Sequence, residues 1–320
     1  MSRALGFALA LLGAALALAL PALTSNEYLL NSGITIATFA VLSTGLNLVY
    51  GYTGLLSFAQ VAFFGLGAYA SAILVTRLGW SLWLTLPVAA ALPVAFGVLI
   101  GFASLRLSRH AFSIVSLSFA LICLLVARDW VSLTRGSMGI PGLPAPVLAL
   151  PGLAPVALDT PGRIYGLIVG GALVLLAAMY AVATSRIGRA LAAIRLNEPL
   201  ARSQGFDPLR YKLLAISISA AASGLAGALF VFHLSIVDPS VFDFYYTQTM
   251  LIMVILGGPG SFWGVLGATA LFSVLPDLLR FSTDLRLVFY GLILVAAMLF
   301  FPTGFAGLLH RRRLARWRRA

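Results

Sequence analysis

The feature that most constrains this chain is a series of uninterrupted apolar runs, each about 20 residues long, which is the length a helix needs to cross a bilayer. A membrane β-barrel would instead require short strands in which apolar and polar residues alternate. Only 9% of the residues are charged, whereas soluble domains carry roughly 25%. The sequence therefore predicts an all-α integral membrane protein.

The runs predict about ten transmembrane helices. Their approximate bounds are 4–23, 31–50, 55–76, 82–105, 111–127, 164–184, 211–235, 246–256, 262–279 and 287–306. The first run also resembles a secretory signal peptide, but its apolar stretch exceeds the usual length, so a retained span is expected. One transmembrane domain, 1–310, followed by a basic cytoplasmic tail, 311–320, is the predicted organisation.

The positions of the arginines predict the orientation of these spans. One side carries Arg3, Arg106 and Arg109, the loop 186–212 and the tail, and the positive-inside rule assigns it to the cytoplasm. The opposite side carries fewer arginines, which are Arg77, Arg128, Arg135 and Arg163. Both termini are therefore predicted to be cytoplasmic. Topology and the attraction of basic residues to lipid headgroups account for the net charge of +12, so membrane lipid is an expected partner and nucleic acid is not.

A basic segment, 185–210, interrupts the apolar runs. The residue before a proline disfavours helical geometry, so Glu198 and Pro199 predict two short helices that meet at an angle. Gly205 would end the second helix. Asp207 and the proline that follows it would then cap and start the next span. The sequence predicts a bent segment that a cytoplasmic partner can bind. Because this segment is joined rigidly to a transmembrane helix, displacing the segment should move the helix.

Missing residue types limit the energy source. No Asp or Glu falls near the middle of a predicted span, which disfavours coupling to protons or sodium. The only lysine, Lys212, lacks the preceding glycines of a phosphate-binding loop, so another polypeptide must hydrolyse any ATP. His110, His233, His310 and Cys123 lack metal-ligand spacing. Neither a metal site nor a catalytic site is predicted. The alternatives to a transport subunit driven by a separate ATPase are an ion-driven carrier acting alone and a membrane-embedded enzyme or scaffold.

Two glycine-rich stretches, 47–72 and 254–270, predict interrupted helices. The predicted helix breaks are Gly51, Gly54, Gly257, Gly258 and Gly260. Gly65 and Gly67 would let helix backbones approach closely, and packing alone could explain any single glycine. Broken membrane helices tend to line cavities. Ser57 and Gln60, which lie among Phe58, Phe63 and Phe64, therefore predict a largely apolar translocation pathway.

Four stretches carry a resemblance to a known family. They read G-Y-T-G-L-L-S-F-A-Q-V-A-F-F-G-L-G-A-Y, S-R-I-G-R-A-L-A-A-I-R-L-N-E-P-L-A-R-S-Q-G, Y-K-L-L-A-I-S-I-S-A-A-A-S-G-L-A-G-A-L and V-I-L-G-G-P-G-S-F-W-G-V-L-G-A. In order and spacing, over residues 31–308, the chain resembles the permease subunits of branched-chain amino acid ABC importers, in the LivM-like branch. Many relatives carry L-G-H where this chain has F-A-Q at 58–60, which leaves the cargo open.

The resemblance implies a type II-like permease fold with broken helices in a bacterial inner membrane. It implies a non-catalytic subunit that forms half of a pore with a second, homologous permease. Two cytoplasmic ATPase subunits, which bind ATP and Mg, and an external solute-binding protein would complete the importer. The implied cargo is branched-chain or other hydrophobic amino acids, with urea, short amides or aromatic acids as alternatives. The residues that map onto the ATPase-coupling segment are Arg189, Ala193, Asn197, Glu198, Leu200, Ala201 and Gly205.

Overall fold

The protein is a bundle of helices, as the sequence predicts. The computed structural model describes residues 3–24, 26–106, 108–148, 156–278, 292 and 295. Its helices are α1 (Arg3–Leu23), α2 (Glu27–Leu46), α3 (Gln60–Leu78), α4 (Leu82–Ser104), α5 (Arg109–Asp129), α6 (Val131–Thr134), α7 (Pro161–Thr184), α8 (Arg186–Leu196), α9 (Glu198–Ser203), α10 (Pro208–Leu234), α11 (Phe244–Gly257) and α12 (Phe262–Leu278).

Seven helical segments within the described residues are long and apolar enough to cross a membrane. They are Glu27–Gly51, Gln60–Leu78, Leu82–Ser104, Arg109–Asp129, Pro161–Thr184, Pro208–Leu234 and Pro239–Gly257. The multispanning helical architecture is therefore confirmed, while the count of ten stays a prediction. The tenth predicted span lies outside the described residues except at 292 and 295, as do the basic tail and His310.

Helices α3, α4 and α10 form the tightest part of the bundle. A Cβ atom at Gly67 would overlap the backbone carbonyl of Gly224, so α3 and α10 cross with their backbones in contact. The hydroxyls of Ser71 and Thr85 lie 3.1 Å apart and join α3 to α4. Small residues that allow close backbone approach, supplemented by hydroxyl bonds, are typical of helix packing in membranes.

In its described residues, 130–148 and 156–160, the stretch between α5 and α7 contains short elements only, in agreement with its Pro/Gly-rich sequence. After α6 come a 3₁₀ turn (Gly136–Met138) and three two-residue strands, β1 (Ile140–Pro141), β2 (Val147–Leu148) and β3 (Val156–Ala157). Strand β2 pairs with β3. Strand β1 pairs antiparallel with β4 (Ile236–Val237), which follows α10. This pairing ties the stretch to the end of the bundle where α10 finishes.

The prediction of a span that begins at residue 55 is wrong at its start. Helix α2 continues through a π-helical turn, Asn47–Gly51, after which residues 54–59 are not helical. Gly54 has a φ of 77°, a left-handed conformation that glycine adopts without strain and that ends the helical geometry. The Ser113 hydroxyl donates to the Leu56 carbonyl at 2.8 Å, and the Phe58 amide donates to the Ser116 hydroxyl at 3.0 Å. Helix α5 thus satisfies backbone groups that would be costly to leave unpaired in a membrane.

Candidate functional site

Helices α8 and α9 form the bent segment that the sequence predicts. Asn197 between them is extended, with φ −155° and ψ 101°, and its side chain accepts a hydrogen bond from the Leu200 amide at 3.1 Å. The non-helical residue is therefore Asn197 and not Glu198, because an asparagine cap starts the second helix one residue earlier. Gly205, with φ 86°, follows α9. Asp207 caps α10 as expected, accepting from the Leu209 amide at 3.0 Å.

An ion pair attaches α9 to α10. The Lys212 ammonium lies 2.7 Å from one Glu198 carboxylate oxygen, and the Lys212 side chain is only 8% exposed. Arg202 lies 3.3 Å from the other oxygen. Partial burial would raise the pKa of Glu198, but the hydrogen bond and charge of Lys212, with the charges of Arg202 and Arg109, lower the pKa overall. Glu198 is therefore ionised at neutral pH and holds α9 against the transmembrane helix.

Arg195, in the last turn of α8, connects the coupling segment to both glycine breaks. Its guanidinium donates to the carbonyls of Gly51 and, at 3.2 Å, of Pro259. The Asn47 side chain accepts from the Gly260 amide at 2.8 Å. These five residues are called the Arg195 junction below. Because helix C-termini carry partial negative charge, a guanidinium at the ends of α2 and α11 is favourably placed.

Three of the predicted helix-break glycines, Gly51, Gly54 and Gly260, meet at this junction. A Cβ atom at Gly51 would overlap the Asn47 side chain and the Gly260 amide, so the two breaks meet only because Gly51 has no side chain. Gly54 lies beside Arg195, whose Cγ would be 3.4 Å from a Cβ at that position. Gly257 packs its backbone against that of Val265. Gly258 and Gly260 have φ values of 96° and 89° and form the turn between α11 and α12.

The other face of the coupling segment is open. Leu196 is 86% exposed and Leu200 is 58% exposed. Of the remaining residues mapped from the resemblance, Arg189, Asn197 and Gly205 are exposed, Ala193 is half-buried and Ala201 is buried. The segment lies outside the seven apolar helices, and both leucines stay exposed in the described part of the chain.

The four residues predicted to line the pathway lie inside the chain. Ser57, Gln60, Phe63 and Phe64 are all buried. The Gln60 amide nitrogen donates to the Ser223 hydroxyl and to the Leu42 carbonyl, and its oxygen accepts from Ser219 at 2.9 Å. Gln60 therefore joins α3 to α2 and α10. This geometry favours a packing role, and the pathway assignment stays a prediction.

The sequence argument missed several residues of this site. Arg195 and Asn47 gave no signal, because their partners are backbone groups distant in the sequence. Lys212 could have been noticed as the only lysine of a highly apolar chain. Ser113 and Ser116, three residues apart, share one face of α5, which is a recognisable pattern for a hydroxyl pair that serves a broken neighbour.

Among the described residues, no three His, Cys, Asp or Glu side chains lie close enough together to hold a metal ion. The only described lysine is already paired with a carboxylate. The segment formed by α8 and α9 lies outside the seven apolar helices and is bonded at separate points to the π-turn that continues α2, to α10 and to the α11–α12 turn.

Comparisons with known proteins give a family match and several relatives. Residues 28–298 match the family model described as branched-chain amino acid transport system, permease component. The chain is 32% identical over 284 residues to the high-affinity branched-chain amino acid transport system permease protein LivM of Salmonella typhimurium, covering 83% of this chain and 67% of the relative.

Two relatives from Escherichia coli K12 match as well. LivM of that organism is 31% identical with the same coverage. The permease protein LivH is 25% identical over 299 residues, which cover 86% of this chain and 94% of LivH. No solved structure gives a significant match.

Proposed function

Because this chain belongs to the family of branched-chain amino acid transport system permease components, we propose that it forms half of the pore of an ATP-driven importer. A second, homologous permease supplies the other half. Of two ATPase subunits, which bind ATP and Mg, one docks on α8 and α9 of this chain and the other on the second permease, and a solute-binding protein delivers cargo on the opposite side. The proposed location is a bacterial inner membrane with both termini in the cytoplasm.

One observation carries this proposal: the coupling segment is bonded firmly on one face and open on the other. Arg195 and Glu198 attach it to the ends of α2, α11 and α10, while Leu196 and Leu200 project outward. A partner that binds the two leucines would therefore displace α2, α10 and α11 through these bonds. Switching by rigid displacement of packed elements fits such an arrangement.

Docking of the ATPase is tested by changing the open face alone. Leu196→Asp and Leu200→Asp place a charge on an apolar contact without touching the Arg195 junction. We expect both variants to insert normally, to lose co-purification of the ATPase and to lose uptake. Leu78→Asp changes a leucine at the far end of α3 that is as exposed as Leu200, and it is the matched control. ATPase retained by both coupling variants would contradict the proposal.

The proposed cargo is a branched-chain or other hydrophobic amino acid. The similar proteins LivM and LivH are permeases of high-affinity branched-chain amino acid transport systems, which supports this class. The measurement is uptake of labelled leucine by the reconstituted importer, in competition with isoleucine, valine, urea, acetamide and benzoate. Competition by the aliphatic amino acids only is expected, and competition by urea, the amide or the aromatic acid would move the assignment to those compounds.

A further inference from the structure

An aromatic pair lies at the surface of the helix bundle, beside the broken segment. The rings of Phe58 and Phe244 stack with centroids 6.5 Å apart and planes 28° from parallel. Phe244 is 46% exposed, and Phe58 is half-buried. Phe63 and Phe64, only a few residues further along the chain, are instead buried in the bundle. The exposed pair and the buried pair therefore have different surroundings.

Helix lengths place the pair within the membrane thickness. Helix α11 has 14 residues and a length of about 21 Å, which places Phe244 about that far from the Arg195 junction. The Phe58 amide binds Ser116, two turns into α5 from its start at Arg109. Both estimates fall inside a hydrocarbon layer about 30 Å thick.

Polar groups on the same face argue against contact with lipid. Asp243, immediately before Phe244, is exposed, and its carboxylate accepts a hydrogen bond from the Tyr245 amide at 2.8 Å. Gln248, one helical turn after Phe244, is partly exposed. A charged side chain at this depth is rare unless it faces a bundle interior or a water-filled cavity. Non-helical backbone such as residues 54–59 is tolerated under the same condition.

We propose that Phe58 and Phe244 form this chain's wall of the translocation pathway and contact the apolar side chain of the cargo. The inference rests on the proposed importer function and names where that function contacts its substrate. Stacked aromatic faces offer a smooth apolar surface to an aliphatic side chain. The helix break is what brings Phe58 out of the core, and the α5 hydroxyls hold it there.

Substituted-cysteine labelling tests the exposure of the pair in the assembled importer. Cys123 is the only native cysteine, so Cys123→Ser gives a clean background for Phe58→Cys and Phe244→Cys. We expect a charged methanethiosulfonate reagent to label both positions in membrane vesicles, and leucine-loaded binding protein to slow the labelling. Phe63→Cys is the buried control. Val174→Cys, on the surface of α7 and 70% exposed, is the control for lipid contact.

The inference would be overturned if Phe58→Cys and Phe244→Cys are labelled no faster than Val174→Cys. Either lipid or the second permease would then cover the two phenylalanine positions. The proposed function would then still stand, provided that the ATPase co-purifies with the variants. Loss of the ATPase from the unmodified complex would overturn both.

A transport measurement gives a second, independent readout. Phe58→Ala and Phe244→Ala should raise the KM for leucine uptake about 2- to 10-fold, the factor for losing one aromatic contact, with the ATPase still bound. Phe244→Tyr should stay near the wild-type value because it preserves the ring. An unchanged KM in both alanine variants would contradict the proposed contact.

Discussion

Gln60 illustrates at the scale of one residue how a polar side chain in a membrane helix can be structural. Its amide bonds to groups on α2 and α10, and losing such a buried network costs about 1–3 kcal/mol. We expect Gln60→Leu to lower the melting temperature of the detergent-solubilised importer. Uptake per folded molecule, and its KM, should stay close to wild type.

The matched comparison for Gln60→Leu is Gln248→Leu on the exposed face of α11. This variant should leave the melting temperature nearly unchanged. If Gln60→Leu instead changes the KM and leaves stability intact, Gln60 lines the pathway as the sequence predicts.

Gly67 is a second position where one atom matters. A Cβ there would overlap the Gly224 carbonyl, so Gly67→Val must separate α3 from α10. Overpacking of this kind typically costs about 1–3 kcal/mol. We expect a sharply lower yield of monodisperse protein in size-exclusion chromatography. Gly170→Val on α7, where open space surrounds the glycine, is the control and should behave like wild type. If both variants give similar protein yields, the contact between Gly67 and Gly224 tolerates a larger side chain and the prediction is wrong.

At the scale of an element, α9 depends on its ion pair with α10. Removing the charge of Glu198 leaves a buried ammonium, at a cost on the order of 3 kcal/mol. Glu198→Lys and Lys212→Glu should each weaken ATPase co-purification, and the double exchange should restore part of it. A double exchange no better than either single change would show that the pair is not what attaches α9.

The same pair predicts a pH dependence with a definite sign. The pKa of Glu198 in the folded protein lies below its ordinary value of 4.5, so the pair stabilises fully above that pH. Its contribution disappears as the pH falls through the lowered pKa. Melting temperatures of wild type and Glu198→Gln should therefore differ above pH 4.5 and converge below it. A difference that persists at the lowest pH would contradict this mechanism.

We expect α8 to act on the membrane helices through a different contact, the Arg195 junction. Arg195→Met keeps the length of the side chain but removes its donors to the Gly51 and Pro259 carbonyls. We expect the ATPase to remain bound and to hydrolyse ATP while uptake falls at least about 10-fold, the factor for losing a charged hydrogen bond of roughly 1.5 kcal/mol. The control is Arg163→Met, which changes an exposed arginine near the start of α7. If Arg195→Met loses ATP hydrolysis and uptake to the same extent, Arg195 does not couple hydrolysis to transport.

The orientation of the whole molecule is open to a direct test. With Cys123→Ser as background, Ser108→Cys, beside the arginines before α5, should react only with reagents that reach the cytoplasm. Ser137→Cys, in the stretch between α5 and α7, should react from outside. Both serines are exposed, so access of the reagent to the side chain does not limit the reaction. The reverse labelling pattern would invert the predicted topology.

The length of the apolar runs was enough to predict membrane helices. The local chemistry of Pro199, Gly205 and Asp207 was enough to predict a bent segment and the start of α10. Both predictions succeeded because these features depend on neighbours along the chain. The break residue Asn197, the extended segment 54–59 and the burial of Gln60 could not be predicted, since each depends on partners in other helices. Composition thus determined the class of protein. Only the tertiary structure decided that two distant glycine turns meet on Arg195, because hydrogen bonds to backbone carbonyls leave no trace in the residue types that accept them.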